Sequence, residues 1–294
     1  MRFGLHLPNS GPLTAHADLV SLAVRAEAIG YDRVWVFDHL FNPVELSAAT
    51  RQTRDDYYNK ADMPYYDALT TLAVIAGATS TIGIGTRVLL PVLRPPAVLA
   101  KQVASLAVLA GAGRLVLGVG AGWLIEEYDA VGIDPAERFA RLDEHVGMLR
   151  KALSDGVIEH DGRFYTQPPA GFHPIPTKPV PIILGGAGPV TMRRVARWAD
   201  GWAMPSVPQG PEARAELQSM LDRLERACEA EQRDPATVRL IGWADLSDPP
   251  SHYELLASAG VHDVDVMLTS VDELDLSDAA EFFDQVARPL GSGQ

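Results

Sequence analysis

Apolar segments and amphipathic segments alternate along the chain. Eight short segments rich in β-branched and apolar residues predict strands, and most are apolar throughout, which is typical of strands buried on both faces of a parallel sheet. Each is followed by a segment with helical spacing, and two of these segments end at Gly30 and Gly260, as helix C-termini often do. The predicted strands are residues 2–8, 33–37, 82–90, 114–120, 181–186, 201–205, 239–245 and 263–268.

Eight strand–helix units in a chain of 294 residues indicate an α/β fold of the (β/α)8 TIM barrel type. We expect residues 1–294 to form a single barrel domain. A doubly wound sheet is the alternative, because the order of strands in a sheet cannot be read from one sequence.

Two insertions interrupt the alternation. Residues 40–66 are polar, rich in Tyr and Asp, and lie between the second predicted strand and its helix. An insertion after a strand lies at the carboxyl face of a barrel, where active sites are built, so we interpret it as a lid or pocket wall. Residues 155–180 precede the fifth predicted strand and contain EHDGRFY, which predicts a hairpin around Asp161–Gly162.

Charge and composition narrow the possible partners. The net charge is −13, and a field of that sign repels phosphate backbones, so we expect no nucleic-acid partner. The single cysteine, Cys228, lies in a helical pattern and is expected to be a buried small residue. The start lacks the apolar segment of a signal peptide, and no stretch reaches the roughly 18 apolar residues of a membrane span, so we expect a cytoplasmic protein.

Glycines occupy alternate positions in RLVLGVGAGW (114–123), at Gly118, Gly120 and Gly122. The stretch fails the dinucleotide fingerprint because Trp123 stands where the third glycine is required, and no Walker motif occurs. Glycines at the carboxyl end of a strand can bring the flat face of a ligand against the backbone. A tight barrel interior that requires small residues is the alternative.

A second glycine cluster ends the fifth predicted strand in LGGAGPVTMRRVARWADGW (184–202). A helix is expected to begin near Thr191, and the free N–H groups at its start favour an anion, so we interpret the turn as a phosphate-binding site. Three arginines follow, and a solvated outer helix face explains them more simply than a ligand contact does: Arg193, Arg194 and Arg197.

These segments resemble the bacterial luciferase-like superfamily, whose members use flavin or the deazaflavin coenzyme F420. The resemblance is carried by FDHL (37–40) and by residues 82–123, 126–146, 162–165 and 178–202, and it is closest to the F420-dependent subgroup. It implies a (β/α)8 barrel with a planar cofactor at the carboxyl mouth and a cis peptide bond that is not before proline, in the Thr86–Arg87 neighbourhood.

The resemblance also implies which residues bind the cofactor: Thr86, Arg87, Gly120, Ala121, Gly122, Gly185, Gly186, Ala187 and Gly188. The chain departs from its relatives at two positions. Ala121 stands where flavin binders can carry a phosphate-holding Arg. Trp123 stands where the sugar-phosphate dehydrogenases of the subgroup have a Glu, so that catalytic role does not transfer to the nearby Glu126 and Glu127.

The candidate catalytic residues are Asp38 and His39, which directly follow the second predicted strand. A histidine that titrates near neutral pH can hold or release a proton beside a hydride transfer. The alternative for His39 is a buried side chain bonded to the backbone of the 40–66 insertion. The candidate substrate pocket is His6, Tyr65, Trp123 and Glu126, although His6 also suits a satisfied core position and Glu126 the start of a helix.

The preferred hypothesis is an F420-dependent oxidoreductase that transfers a hydride between the cofactor and a small organic substrate. The alternatives are a monooxygenase that uses reduced FMN and O2, and a non-catalytic flavin-binding protein. Scattered histidines without a His-x-His or HExxH motif argue against a metal site. By analogy with the family, a homodimer is possible. The acidic tail of F420 requires positive partners, for which the candidates are Arg87, Arg94, Lys101 and Arg193–Arg197.

Overall fold

The computed structural model describes residues 1–53 and 61–291, and its main feature is a closed barrel of eight parallel strands. The last barrel strand pairs with both the first and the preceding one, so the sheet has no free edge. The (β/α)8 prediction is therefore confirmed, and the doubly wound alternative is wrong. In chain order the strands are β1 (Arg2–His6), β2 (Arg33–Val36), β3 (Gly83–Leu89), β4 (Leu115–Val119), β5 (Val157–Asp161), β6 (Thr166–Gly171), β7 (Ile182–Gly185), β8 (Gly201–Ala203), β9 (Arg239–Asp245) and β10 (Asp263–Met267).

Helices surround the barrel, and local signals set their ends. The Asp67 side chain accepts a hydrogen bond from the Thr70 N–H at a helix start, and Gly30 ends another helix in the left-handed conformation at φ 114°. The helices are α1 (Leu19–Ile29), α2 (Ala48–Thr53), α3 (Ala68–Ala78), α4 (Pro96–Leu109), α5 (Ile125–Ala130), α6 (Arg138–Asp155), α7 (Pro189–Trp198), α8 (Ala213–Ala230), α9 (Pro250–Ser258), α10 (Ser277–Phe282) and α11 (Arg288–Gly291).

Side chains fill the inside of the barrel. Trp35 lies across the lower part of the interior, and a Cβ atom at Gly4 or Gly85 would come within 2.4 or 2.5 Å of its indole ring. Glycine at those strand positions therefore makes room for one large aromatic residue. The remaining members of this inner cluster are aliphatic: Val116, Ile183, Ala203 and Ile241, with Val88 packed against them.

Both predicted insertions are present. The 40–66 insertion contains α2, and its residues 54–60 lie outside the described residues. The 155–180 insertion holds the antiparallel hairpin of β5 and β6, in which Asp161 pairs with Thr166, so the hairpin prediction is confirmed. Cys228 is buried, as expected. Within residues 1–53 and 61–291, no helix combines the length and apolar character that a bilayer crossing requires.

Candidate active site

His39 forms a hydrogen-bonded pair with a buried glutamate at the carboxyl mouth of the barrel. Its Nδ1 lies 2.8 Å from Oε2 of Glu127 in α5, and the other Glu127 oxygen accepts a hydrogen bond from the Leu40 N–H. Glu127 is fully buried, whereas His39 is partly exposed. Tyr65 and Trp123 approach the imidazole edge-on, with ring centroids at 5.5 and 5.6 Å. The mouth therefore holds an imidazole with a fixed carboxylate partner and aromatic neighbours.

Glu126 binds the insertion instead of facing this pair. One of its oxygens accepts from the Ser47 N–H at 2.5 Å and the other from the Thr50 hydroxyl at 2.8 Å. Burial raises the pKa of Glu126, but these hydrogen bonds lower it by more, so its pKa lies below the ordinary glutamate value. The expected place of Glu126 in a substrate pocket is not supported, because its carboxylate fastens α2 to α5.

Asp38 does not face the mouth, which corrects the expectation that it shares the catalytic position with His39. Its carboxylate is buried and binds the Arg94 guanidinium through two contacts of 2.7 Å, and it also accepts from the Leu90 N–H at 2.9 Å. Arg94 bonds Asp67 as well, at 2.8 Å. Asp38 and Arg94 thus hold the end of β3 and the start of α3 to β2, and Arg94 is not available to a cofactor tail.

The glycines at the ends of β4 and β7 make room for other parts of the chain. A Cβ atom at Gly118 would lie 2.1 Å from the Thr86 carbonyl oxygen. Cβ atoms at Gly120 and Gly185 would lie 2.5 and 2.8 Å from the two methyl groups of Val88. The expectation of a bare strand face is wrong at these positions, because Val88 stands in front of both strand ends and would meet a ligand first.

The turn after β4 is tight and well packed. Gly122 has φ +74°, and a Cβ atom there would lie 2.8 Å from the Tyr128 hydroxyl. The carbonyl of the buried Ala121 accepts a hydrogen bond from that same hydroxyl. The turn therefore has one side against α5, and its other side is what remains for a ligand.

A cis peptide bond joins Arg87 and Val88, one bond beyond the expected Thr86–Arg87 neighbourhood. Thr86 is buried, and its hydroxyl donates to the Gly118 carbonyl at 2.7 Å. Arg87 points into the barrel, where it donates to the Met204 carbonyl at 2.7 Å. Arg87 is therefore an interior residue, and the expectation that it binds an acidic tail is wrong.

The turn between β7 and α7 has the geometry expected of an anion site. Gly186 has φ +116°, which favours glycine, and Gly188 precedes the first residue of α7. A Cβ atom at Gly188 would meet nothing within 4 Å, so the approach to the helix start is open. The first N–H groups of a helix have no partners within the helix and attract anions. The structure thus brings Gly186, Ala187 and Gly188 to an accessible helix start.

The other predicted partners of an acidic tail differ in availability. Lys101 donates to the His173 carbonyl and lies 4.3 Å from the centre of the Phe172 ring. Arg194 pairs with Asp143 at 2.7 Å. Arg193 and Arg197 are exposed on α7. Arg193 lies four residues beyond the first residue of α7, whereas Arg197 lies in the last turn of that helix, away from the predicted phosphate turn.

His6 belongs to a second, buried polar cluster inside the barrel. Its Nδ1 lies 2.8 Å from Oδ2 of Asp265, and the Arg87 Nε lies 3.4 Å from the same oxygen. The His6 ring packs 3.9 Å from Phe37 and 5.8 Å from Trp243, centroid to centroid. His6 is thus not a satisfied core residue, because its Nε2 has no hydrogen-bond partner in the part of the chain that the structure describes.

Sequence reasoning considered Glu127 but chose Glu126 for the pocket, and it missed two neighbours of His6 inside the barrel, Asp265 and Trp243. Glu127 is adjacent to Glu126, and the rotation of α5 about its axis decides which of the two side chains faces His39. Asp265 stands in DVDVM, where an acidic residue inside an apolar strand was an available signal for an inward-facing polar group. Trp243 is a large aromatic residue among the small and aliphatic residues of β9, which was an available signal for a pocket wall.

Comparisons with known proteins show which family this chain resembles. A family model described as luciferase-like monooxygenase matches residues 1–244. An uncharacterized Mycobacterium tuberculosis protein is 35% identical over 184 residues, which are 62% of this chain and 63% of that protein, so the chain spans less than two thirds of that relative. An F420-dependent glucose-6-phosphate dehydrogenase of Kineococcus radiotolerans is 31% identical over 287 residues, covering 91% of this chain and 79% of that enzyme.

Solved structures share the architecture. An F420-dependent secondary alcohol dehydrogenase in complex with an F420–acetone adduct has a TM-score of 0.76 at 18% identity, and the match covers 98% of each chain. A monooxygenase from Streptomyces bottropensis has a TM-score of 0.75 at 20% identity, covering 99% of this chain and 100% of the other. At these identities the likeness establishes the barrel fold alone.

Proposed function

The chain belongs to the luciferase-like monooxygenase family, and we propose that this member is an F420-dependent oxidoreductase acting on a small organic substrate. The observation that carries the proposal is the His39–Glu127 pair at the barrel mouth. Support for the choice of cofactor comes from the alignment, over 91% of the chain, with a relative named as F420-dependent.

The residues present fit such a cofactor. The open helix start at Gly186–Gly188 suits a phosphate group, and the absence of any atom within 4 Å of a Cβ at Gly188 is the observation on which this fit rests. Val88 and the turn of Ala121 and Gly122 would border the ring at the mouth. When bound, F420 supplies hydride exchange with a carbon atom of the substrate.

His39 would hold or release the proton that accompanies hydride transfer. Because Glu127 accepts from Nδ1, the imidazole orientation is fixed and Nε2 is left for the substrate. Tyr65 and Trp123 would exclude water from the reacting groups, which strengthens the electrostatic interactions there.

Titration of the purified protein with F420 and, separately, with FMN tests the proposal. We expect F420 to bind at micromolar or lower concentration, as judged by fluorescence, and FMN to bind at least about tenfold more weakly. Binding of FMN alone overturns the proposal and favours a flavin-dependent monooxygenase.

A matched pair of variants tests the phosphate turn. Gly188→Ala adds a methyl group at the open helix start and should weaken F420 binding about tenfold, since a charge-assisted contact to a helix N–H is disturbed. Gly147→Ala adds a methyl group that likewise meets nothing within 4 Å, but on α6, and should leave the affinity unchanged. Equal F420 affinities of the two variants would contradict the proposal that this turn binds the phosphate group.

A further inference from the structure

We propose that His6, Asp265 and Arg87 form the floor of the substrate pocket, and that His6 Nε2 accepts a hydrogen bond from a hydroxyl group of a neutral substrate. The inference rests on the proposed function, because it concerns the substrate of the same site. It adds a second histidine–carboxylate pair to the one formed by His39 and Glu127.

The three side chains meet inside the barrel, toward its carboxyl end. His6 is the last residue of β1 and pairs in register with Trp35 of β2 and Met267 of β10. His6, Asp265 and Arg87 are each at most 5% exposed. Arg87 stands two residues beyond Gly85, the register partner of Trp35, so the three side chains form a polar layer that extends from the level of the apolar interior cluster toward the mouth.

Two aromatic rings border this layer. Phe37 and Trp243 are partly exposed and stack on each other with centroids 5.7 Å apart, and both contact the His6 ring. The Arg87 guanidinium lies over the Trp243 ring at 5.2 Å. An apolar wall beside one buried polar group is the usual make-up of a pocket that binds a small organic molecule.

The charges around His6 indicate which of its ring nitrogens carries hydrogen. The Arg87 guanidinium is permanently charged and lies 3.4 Å from the Asp265 carboxylate, so these two groups already neutralise each other. A protonated His6 would add a second positive charge in a buried layer and leave a charged N–H without an acceptor. A neutral His6 that donates from Nδ1 to Asp265 avoids both, and its Nε2 then carries a lone pair.

That lone pair has no donor in the described part of the chain, and neither has Oδ1 of Asp265. Buried polar atoms without partners are rare in folded proteins, and they concentrate where a ligand supplies the missing bond. Because Nε2 is an acceptor, the ligand group must be a donor. A hydroxyl group fits this requirement, whereas a ketone oxygen does not.

The same balance disfavours a phosphorylated substrate at this floor. The positive charge of Arg87 is committed to Asp265, and that of Arg94 to Asp38. An anion placed over the floor would lose its hydration without gaining a free cation. Asp265 also lies beyond residues 1–244 that match the family model, so the family match does not account for it.

Histidine NMR on the intact protein tests the state of His6 without any turnover. In protein labelled with 15N at histidine, we expect the His6 signals of a neutral ring with hydrogen on Nδ1 and a bare Nε2. A ring that carries hydrogen on both nitrogens between pH 6 and 8 would overturn the proposal, because no acceptor would then be present.

A pair of probes tests the ligand class. Cyclohexanol can donate a hydrogen bond through its hydroxyl group, whereas cyclohexanone can only accept one. Both probes, and glucose 6-phosphate as an anionic comparison, are titrated into the protein alone and into the protein loaded with F420. We expect cyclohexanol to shift the His6 Nε2 signal, while cyclohexanone and glucose 6-phosphate leave it unchanged. If cyclohexanol leaves the signal unchanged, as a firmly held buried water on Nε2 would cause, the proposal is contradicted. A shift caused by glucose 6-phosphate contradicts it as well.

Two variants complete the design. His6→Phe keeps a ring against Phe37 but removes the acceptor, and we expect cyclohexanol to bind it at least about tenfold more weakly, with cyclohexanone unaffected. His145→Phe changes another buried histidine, which pairs with Tyr165 on the outside of the barrel, and should bind both probes as the wild type does. Equal cyclohexanol affinity in His6→Phe and wild type overturns the proposal. Failure of F420 to bind overturns the proposed function alone, since the probes are also read without cofactor.

Discussion

At the scale of single residues, the two neighbours Asp38 and His39 differ most in their surroundings. Both follow β2, yet Asp38 is enclosed by Arg94 and the Leu90 N–H, while His39 contacts Glu127 at the mouth. Successive side chains of an extended backbone point in opposite directions, so adjacent positions at a strand end can serve different purposes. One is suited to stability and the other to chemistry.

Replacement of His39 by Asn should lower kcat about 10²- to 10⁴-fold, since the group that we propose to hold or release the proton is lost. The F420 dissociation constant should change less than about twofold, because the proposed phosphate and ring contacts remain. Steady-state kinetics and fluorescence titration measure the two quantities. His160→Asn is the matched control, because His160 also pairs with a glutamate, Glu144 at 3.0 Å, but on the hairpin side. An equal loss in both variants would point to a general effect on folding.

Replacement of Asp38 by Asn should lower the free energy of unfolding by about 3 kcal/mol, because the Arg94 charge is then left without its buried partner. Asp67→Asn removes the partly exposed partner of the same guanidinium, keeps a good helix cap, and should cost less than about 1 kcal/mol. Urea unfolding of both variants measures the difference. Similar losses for the two would show that burial does not strengthen the Asp38 contact.

At the scale of elements, the 40–66 insertion and α5 act together. Glu126 holds the insertion through Ser47 and Thr50, and the next residue, Glu127, orients His39. Two adjacent glutamates of one short helix thus position the insertion and the imidazole. A displacement of α5 would disturb both.

The tether of Glu126 should depend on pH. Its pKa in the folded protein lies below the ordinary glutamate value, so its stabilising contribution is fully present above about pH 4.3 and is lost as the pH falls through the lower folded-state pKa. At pH 7, the Ser47 amide should therefore be better protected from hydrogen exchange in the wild type than in Glu126→Gln. The difference in protection should disappear in strong acid.

The exposed Glu225→Gln on α8 is the control for that experiment, and it should match the wild type at every pH. A difference between wild type and Glu126→Gln that stays constant with pH would show that the carboxylate charge does not hold the insertion.

The elements themselves were predictable, while their contacts were not. All eight predicted barrel strands agree with the structure within two residues at each end, because buried parallel strands are continuous apolar segments. The glycines of β4 were visible in the sequence, but the side chain that fills their space, Val88, comes from a different strand. Glu127 is 88 residues from His39, and Asp265 is 259 residues from His6. Local pattern carries no information on such long-range pairs.

At the scale of the whole molecule, the net charge of −13 opposes the approach of an anionic cofactor. Arg193 and Arg197, two of the predicted tail partners, are exposed on α7, the helix that begins at the predicted phosphate turn. Long-range repulsion and a small local attraction therefore act on F420 in opposite directions. Varying the salt concentration distinguishes them, because salt screens the longer-range repulsion first.

The association rate constant of F420 should rise as the ionic strength increases from about 10 mM to about 200 mM, since the repulsion from the whole protein is screened. Stopped-flow fluorescence measures this rate constant. Replacement of both Arg193 and Arg197 by Gln should slow association at every salt concentration. A rate constant that falls with salt in the wild type would mean that local positive charge dominates the encounter.

The pairing of β10 with β1 and β9 bears on how the chain is made. The segment Asp263–Met267 leaves the ribosome after every other strand of the ring, and until it does, β1 and β9 have unpaired edges. Such edges favour pairing with other chains. The sheet of the nascent protein therefore keeps two edges open to other chains until its last strand has been made.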